Sequence, residues 1–358
     1  MGSKLADNVL AVGVIDWDRK TFDELMELPD GTSYNSYLIK GADKVAVIDT
    51  VEPKFKEEFL QHVRKYTDRI DYIISNHAEQ DHSGSIPFML EQFPKAVVVT
   101  NKLAKPLLQE ELHIADEKFM IIKDNDELKL GGKTLQFVMT PWVHWPETMS
   151  TFLKEDKVIF TCDFFGTHLA TSELFAEHPE TIHDPAKRYY SEIMQPFATI
   201  IRKNINKVKR LNPKIIAPSH GPVHNHPEYI LDLYTQWTGK KVRREVVIAY
   251  VSMHGSTQIM SNHLTKKFME KGVPVKEYNI AEKGVSSLVM DMVDAAALVI
   301  ATPTFLTGIH PTMASALNLL NALRPKTKIL GYIGSEGWGG NTQKQIEQLT
   351  DGFKAERL

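Results

Sequence analysis

Cysteine is almost missing from this chain. A single residue, Cys162, leaves no partner for an internal disulfide and no second thiolate for a cysteine-built metal cluster. No apolar run approaches the ~18 residues of a membrane span. The start, Met1 to Asp7, lacks the apolar core of a signal peptide. Met1-Gly2 raises myristoylation, but that motif needs Ser or Thr where Ala6 stands. An excess of either charge is also missing: 42 basic against 45 acidic side chains leave −3, so nucleic acid is not an expected partner. A cytoplasmic protein with no membrane attachment is the expectation. The 42% hydrophobic and 24% charged residues are an ordinary globular balance, and 358 residues are enough for two domains. What the chain has in quantity is histidine, 14 in all.

The hydrophobic pattern divides the chain. Residues 1–30 read as a polar lead-in; 34–39 and 44–49 read as a hairpin around a Gly-Ala-Asp turn. Phe55, Phe59, Leu60 and Val63 fall at helical spacing. Strands follow at 70–75, 96–100, 118–122, 134–139, 150–161 (a pair) and 214–218, with helices at 102–112 and 186–211. Mixed hairpins and strand–helix units predict two sheets with helices outside. Past the charged linker 240–245, strands (246–251, 273–278, 297–302, 327–333) alternate strictly with helices (256–271, 286–293, 311–322, 341–353). That alternation predicts a doubly wound parallel sheet, and the domains are set at 1–242 and 243–358.

The stretch Ser75 to Gly84 packs His77, Glu79, Asp81 and His82 into six residues at a strand end. His77, Glu79 and Asp81 are spaced by two, so extended backbone points them to one side, and His82 can turn to a second point. Ligands offered to two adjacent points suggest a dinuclear metal site. Three further residues end apolar strands and precede turns: His144, Asp163 and His220.

This order of motifs resembles the metallo-β-lactamase superfamily, whose usual cluster is His-x-His-x-Asp-His followed by a histidine, a bridging aspartate and a last histidine. Glu79 replaces the second histidine of that cluster. Four imidazoles and three carboxylates favour iron or manganese over zinc, since carboxylates are harder ligands. By the resemblance, one metal takes His77, Glu79 and His144, the other takes Asp81, His82 and His220, and Asp163 bridges them. His168 is expected to line the pocket. His62, His113, His178, His183, His224, His226 and His263 are read as surface residues, and Trp145, Glu147 and Tyr190 as neighbours of the ligands.

The second half carries another constellation. Ser252, Met253, His254, Gly255, Ser256 and Thr257 form a hydroxyl- and glycine-rich turn at a helix N-terminus, where free N–H groups and the helix dipole face an anion. It lacks the lysine of a Walker loop, so a terminal monophosphate suits it. Two more loops follow strands: one holds Pro303, Thr304, Phe305, Leu306, Thr307 and Gly308, the other Ser335, Glu336, Gly337, Trp338 and Gly339. The three resemble the phosphate and isoalloxazine loops of flavodoxins, which implies FMN, with Trp338 available to stack. A complete flavodoxin-like domain would add a fifth strand and helix, and the sequence reaches Leu358 where that strand is expected to begin.

The two constellations together resemble the flavodiiron proteins (A-type flavoproteins). The resemblance implies an α/β chain: a metallo-β-lactamase-like αββα sandwich, then a flavodoxin-like sheet lacking its last strand and helix. It implies FMN and two iron ions, reduction of O2 to water or NO to N2O, and rubredoxin or reduced coenzyme F420 as donor. A head-to-tail homodimer, or a dimer of dimers, follows from the same resemblance. The alternatives are a dinuclear zinc hydrolase with an appended flavodoxin-like domain, and a non-catalytic gas sensor or electron carrier.

Overall fold

The computed structural model describes residues 3–358; the myristoylation reading at Met1-Gly2 lies outside them. Two compact units are present: Met1–Ala186 with Thr199–Thr235, and Lys187–Ala198 with Gln236–Leu358.

The first unit contains a seven-stranded and a five-stranded sheet. The seven-stranded order is Ser3–Ala6, Val9–Ala11, Tyr37–Lys40, Val45–Ile48, Tyr72–Ile74, Val97–Asn101, Phe119–Ile122; the other runs Glu127–Lys129, Thr134–Met139, Met149–Leu153, Val158–Cys162, Ile215–Pro218. Strand alternation sorts the core. Val45, Val47, Ile73 and Val98 face the helices Lys56–Arg64, Ile86–Gln92 and Ala104–Leu112, meeting Phe59, Val63, Met89 and Leu108. Their strand neighbours Ala46, Ile48, Ile74 and Val99 turn to the other side and pack on Phe137, Leu153, Phe160 and Ala217 of the second sheet. The sandwich expectation holds.

In the second unit, Val275–Asn279, Arg243–Tyr250, Ala295–Phe305 and Ile329–Ser335 lie side by side in parallel. Val247, Ala249, Leu298 and Ile300 bury one face against Leu288, Leu317 and Ile346; Val246, Ile248, Ala297 and Val299 bury the other against Leu264 and Phe268. Helices therefore cover both faces, as a doubly wound sheet requires.

The structure adds to or corrects the sequence reading at four places. The lead-in is not irregular: Ser3–Ala6 and Val9–Ala11 pair around Asn8 at φ 58°, and short strands follow at Val14–Asp16, Thr21–Phe22 and Met26–Glu27. The helix at 186–211 is broken: His183–Tyr189 passes through a π-turn, Tyr190–Met194, and a 3-10 turn, Gln195–Phe197, before Ala198–Leu211. Pro196 lacks the N–H an unbroken helix would use there. An unforeseen helix, Pro227–Trp237, begins on a proline at its first position. The last strand of the parallel sheet is present in its first residues, Glu356–Arg357 beside Ile329–Leu330. Among the described residues, no helix is long and apolar enough to cross a membrane.

Candidate metal centre and cofactor loops

Every residue of the first constellation follows a strand. The chain leaves Tyr72–Ile74, passes His77 and Glu79 (φ −58°, ψ 143°), and enters a helical turn, Gln80–Ser83. The reading that His77, Glu79 and Asp81 share one side is corrected by that turn, which carries Asp81 and His82 to a different point. His144 lies beyond Thr134–Met139, Asp163 directly beyond Val158–Cys162, and His220 beyond Ile215–Pro218. Parallel pairing sets Cys162 beside Pro218, which brings Asp163 and His220 to adjacent strand ends.

All seven side chains converge. Glu79 Oε2 lies 3.1 Å from His77 Nε2 and 3.1 Å from His144 Nε2. Asp81 lies 3.3 Å from His82 Nε2 and 3.2 Å from His220 Nε2. Asp163 belongs to both sets through different oxygens. Its Oδ2 is 3.4 Å from His77 and 3.6 Å from His144, while its Oδ1 is 3.0 Å from His82 and 3.3 Å from His220. Each imidazole presents Nε2 inward. His77, Asp81, His82, Asp163 and His220 are buried, while Glu79 and His144 are partly exposed.

The electrostatics call for cations. Burial alone would depress an imidazole, yet hydrogen bonds to Asp163 and Asp81 push His220 up to about 10. His77 and His82 are raised against burial in the same way, the first through Glu147 and Glu79, the second through Asp81 and Asp163. Burial would raise Asp163 and Glu79, but the imidazoles hold both low. Both carboxylate oxygens of Asp81 are buried, and among the described residues they face only the Nε2 atoms of His82 and His220, the same nitrogens a metal would take. Buried anionic oxygens normally have a donor or a cation, so the donor set fits a metal pair.

Around the ligands, Glu147 Oε1 lies 2.6 Å from His77 Nδ1 and accepts from Ala78 N at 3.2 Å. Trp145 stands edge-on to His77 at 5.0 Å. Tyr190 is buried in the second compact unit, its ring 5.4 Å from that of Trp237. His168 is buried near the centre, 4.9 Å ring to ring from His220. Among the supposed surface histidines, His178, His183 and His226 are exposed, but His224 is buried with its Nε2 2.9 Å from Phe165 O, and His62 is mostly buried against Gly13 O. Spacing to polar neighbours misled there: His224 sits in a bridge to Ile216, which turns it inward. Thr32, which touches both His168 and His220, was not foreseen and carries no motif signal.

The three glycine- and hydroxyl-bearing loops lie at the carboxyl ends of three adjacent parallel strands. Gly255, at φ +88°, opens the helix Ser256–Glu270, and Ser252 Oγ accepts from Gly255 N at 3.1 Å. Thr257 Oγ1 and Ser335 Oγ stand 3.3 Å apart, joining the first loop to the third. Thr304 Oγ1 lies 2.8 Å from Thr342 Oγ1, tying in the second. That second loop is itself a hairpin: Ala295–Phe305 runs on to pair with Gly308–Ile309. A Cβ on Gly337 or Gly339 would meet nothing within 4 Å. Met253, Phe305, Leu306 and Trp338 are exposed apolar side chains gathered in these same loops, as expected where a flat ring would cover them.

Comparison with known proteins agrees with this geometry. Residues 32–221 match the family described as ODP family beta lactamase. The nitric oxide reductase of Moorella thermoacetica is 33% identical over 362 residues, covering 99% of this chain and 90% of that protein. The solved rubredoxin oxygen:oxidoreductase of Desulfovibrio gigas superposes with a TM-score of 0.96 at 30% identity, over 100% of this chain and 91% of that one. The flavodiiron protein of Giardia intestinalis does so at 0.94 and 28% identity, over 99% and 88%. The chain belongs to the flavodiiron proteins, a family of oxidoreductases whose name states a flavin and two irons. These relatives favour reduction of O2 or NO over zinc hydrolysis.

Proposed function

We propose that this protein reduces O2 to water, NO to N2O, or both, at a non-haem diiron centre supplied with electrons through FMN. The observation that carries this reading is Asp163, whose two oxygens each face one of two sets of ligand-type side chains. His77, Glu79 and His144 would hold one iron, Asp81, His82 and His220 the other, with Asp163 shared. Three carboxylates offset three of the four charges of a diferrous pair. The loops at 252–257, 303–308 and 335–339 would hold FMN, with the domains divided at 242/243.

FMN held by these loops would supply an electron pair one electron at a time, and irons held by the seven side chains would supply the site where the gas is reduced. The chain's own part is orientation and exclusion of water. Glu147 fixes the Nδ1 face of His77, leaving Nε2 to the centre. Trp145 packs its edge on His77, 6.2 Å from His144, and shields that side from bulk water.

The donor is proposed to be rubredoxin or reduced coenzyme F420, the location cytoplasmic, and the assembly a head-to-tail homodimer or a dimer of dimers. The two cofactor sites fall in different compact units, and the head-to-tail arrangement would set the FMN site of one copy beside the metal centre of the other. The test is metal and flavin analysis of purified protein, then anaerobic stopped-flow mixing of the reduced protein with each gas and turnover with each donor. About two irons per chain, a flavin band and rapid flavin oxidation are expected. Zinc alone without flavin, or gas binding without flavin oxidation, overturns the proposal.

A further inference from the structure

Resting on the reading that His220 binds a metal, we propose that Thr32 and His168 are positioning residues that orient His220 and set the affinity of its half of the centre. His220 Nδ1 lies 2.7 Å from Ser33 O. A carbonyl only accepts, so Nδ1 keeps its proton and Nε2 is the nitrogen left for a metal. Thr32 Oγ1, fully buried, stands 3.4 Å from the same Nδ1 and 2.9 Å from His168 Nδ1.

One hydroxyl thus faces two imidazoles, and the direction of its proton decides what it does for each. His220 Nδ1 carries its own proton toward Ser33 O and cannot accept another, so His168 Nδ1, at 2.9 Å, takes the Thr32 hydroxyl proton. The oxygen lone pairs then turn toward the Nδ1–H of His220, which gains a second acceptor beside Ser33 O. Phe22, from the hairpin strand Thr21–Phe22, covers the pair: its ring lies 5.1 Å from His168 and 6.4 Å from His220, and Arg19 caps its outer face at 5.4 Å. Thr167 N donates to His220 O at 3.1 Å, so the loops carrying both histidines are tied together. On the other half of the centre, Glu147 does the corresponding work for His77 with a full charge. The uncharged Thr32 hydroxyl is the weaker support, which makes the second set the more easily emptied.

The test uses the full chain with flavin bound. Thr32→Val and His168→Ala each remove the hydroxyl link; Thr32→Ser and His168→Asn restore an equivalent group, since an Asn Oδ1 takes the place of Nδ1. Competition with a chelator, iron counting and Mössbauer spectra of the two irons are read together. The first two variants should bind iron at the second position about 10–100-fold more weakly. The first position should stay filled, and the conservative variants should recover. Wild-type affinity at both positions in Thr32→Val and His168→Ala overturns the inference. Equal loss at both positions, with flavin retained, overturns it as well. A wild-type protein that takes up no iron pair overturns the proposed function, and this inference falls with it; intact iron in the wild type separates the two failures.

Discussion

Glu79 stands 3.1 Å from both His77 and His144, so one carboxylate organises that half of the centre. A Glu79→His substitution removes a hard ligand and one negative charge, which should shift selectivity from iron toward zinc. Metal content of protein grown with equal iron and zinc is the measurement; a variant fully loaded with iron would show the carboxylate to be unimportant. A second residue-scale outcome concerns His224, buried against Phe165 O with burial pushing its pKa down to about 4. In the unfolded chain this imidazole titrates near 6.5. Between those values the unfolded chain binds a proton that the folded one refuses, so stability is present above pH 6.5 and lost as pH falls toward 4. The slope from this residue is at most about 1.4 kcal/mol per pH unit. Urea unfolding of wild type and His224→Gln from pH 7 to 4.5 should show the wild type losing more. Parallel curves would remove His224 from the account.

At the scale of the element, the proposed phosphate loop turns on Gly255, whose φ of +88° suits glycine while its Cβ direction is open. Gly255→Ala therefore meets strain without a clash, about 1 kcal/mol. FMN should bind about fivefold more weakly at that cost, as read by flavin fluorescence quenching. Unchanged binding would place the phosphate elsewhere. Elements with long, uniform patterns were legible in the sequence: Thr134–Met139 has the expected bounds, and the parallel strands fall within a few residues of theirs. The candidate ligands stood out in the sequence because they are metal-binding residue types placed just past apolar strands. What escaped was set by tertiary pairing. Three-residue strands such as Val9–Ala11 are too short for periodicity to register, and their pairing with Tyr37–Lys40 defines them. The hairpin at Thr304–Ile309 hides inside a turn-like composition. Thr32 and His168 lie 136 positions apart, and nothing local marks a pair that only the fold joins.

At the scale of the whole molecule, the proposed assembly has a direct check. Sedimentation of the flavin- and iron-loaded protein should give a dimer or tetramer, and dilution to monomer should slow electron transfer to the gas while leaving each cofactor bound. A fully active monomer would exclude the head-to-tail arrangement.

The origin of the seven ligands also matters to the molecule as a material object. Four come from the loop after a strand of the seven-stranded sheet, and three from strand ends of the five-stranded sheet. A metal pair held by all of them is a clasp fastened across the lips of the sandwich. Unfastening it with a chelator should leave the interior closed but let the lips part. Limited proteolysis should then cut within 75–84 and 140–148 many times faster than in the metal-loaded protein, and added iron should restore resistance. Equal cutting rates would mean that the sheets hold the lips shut unaided.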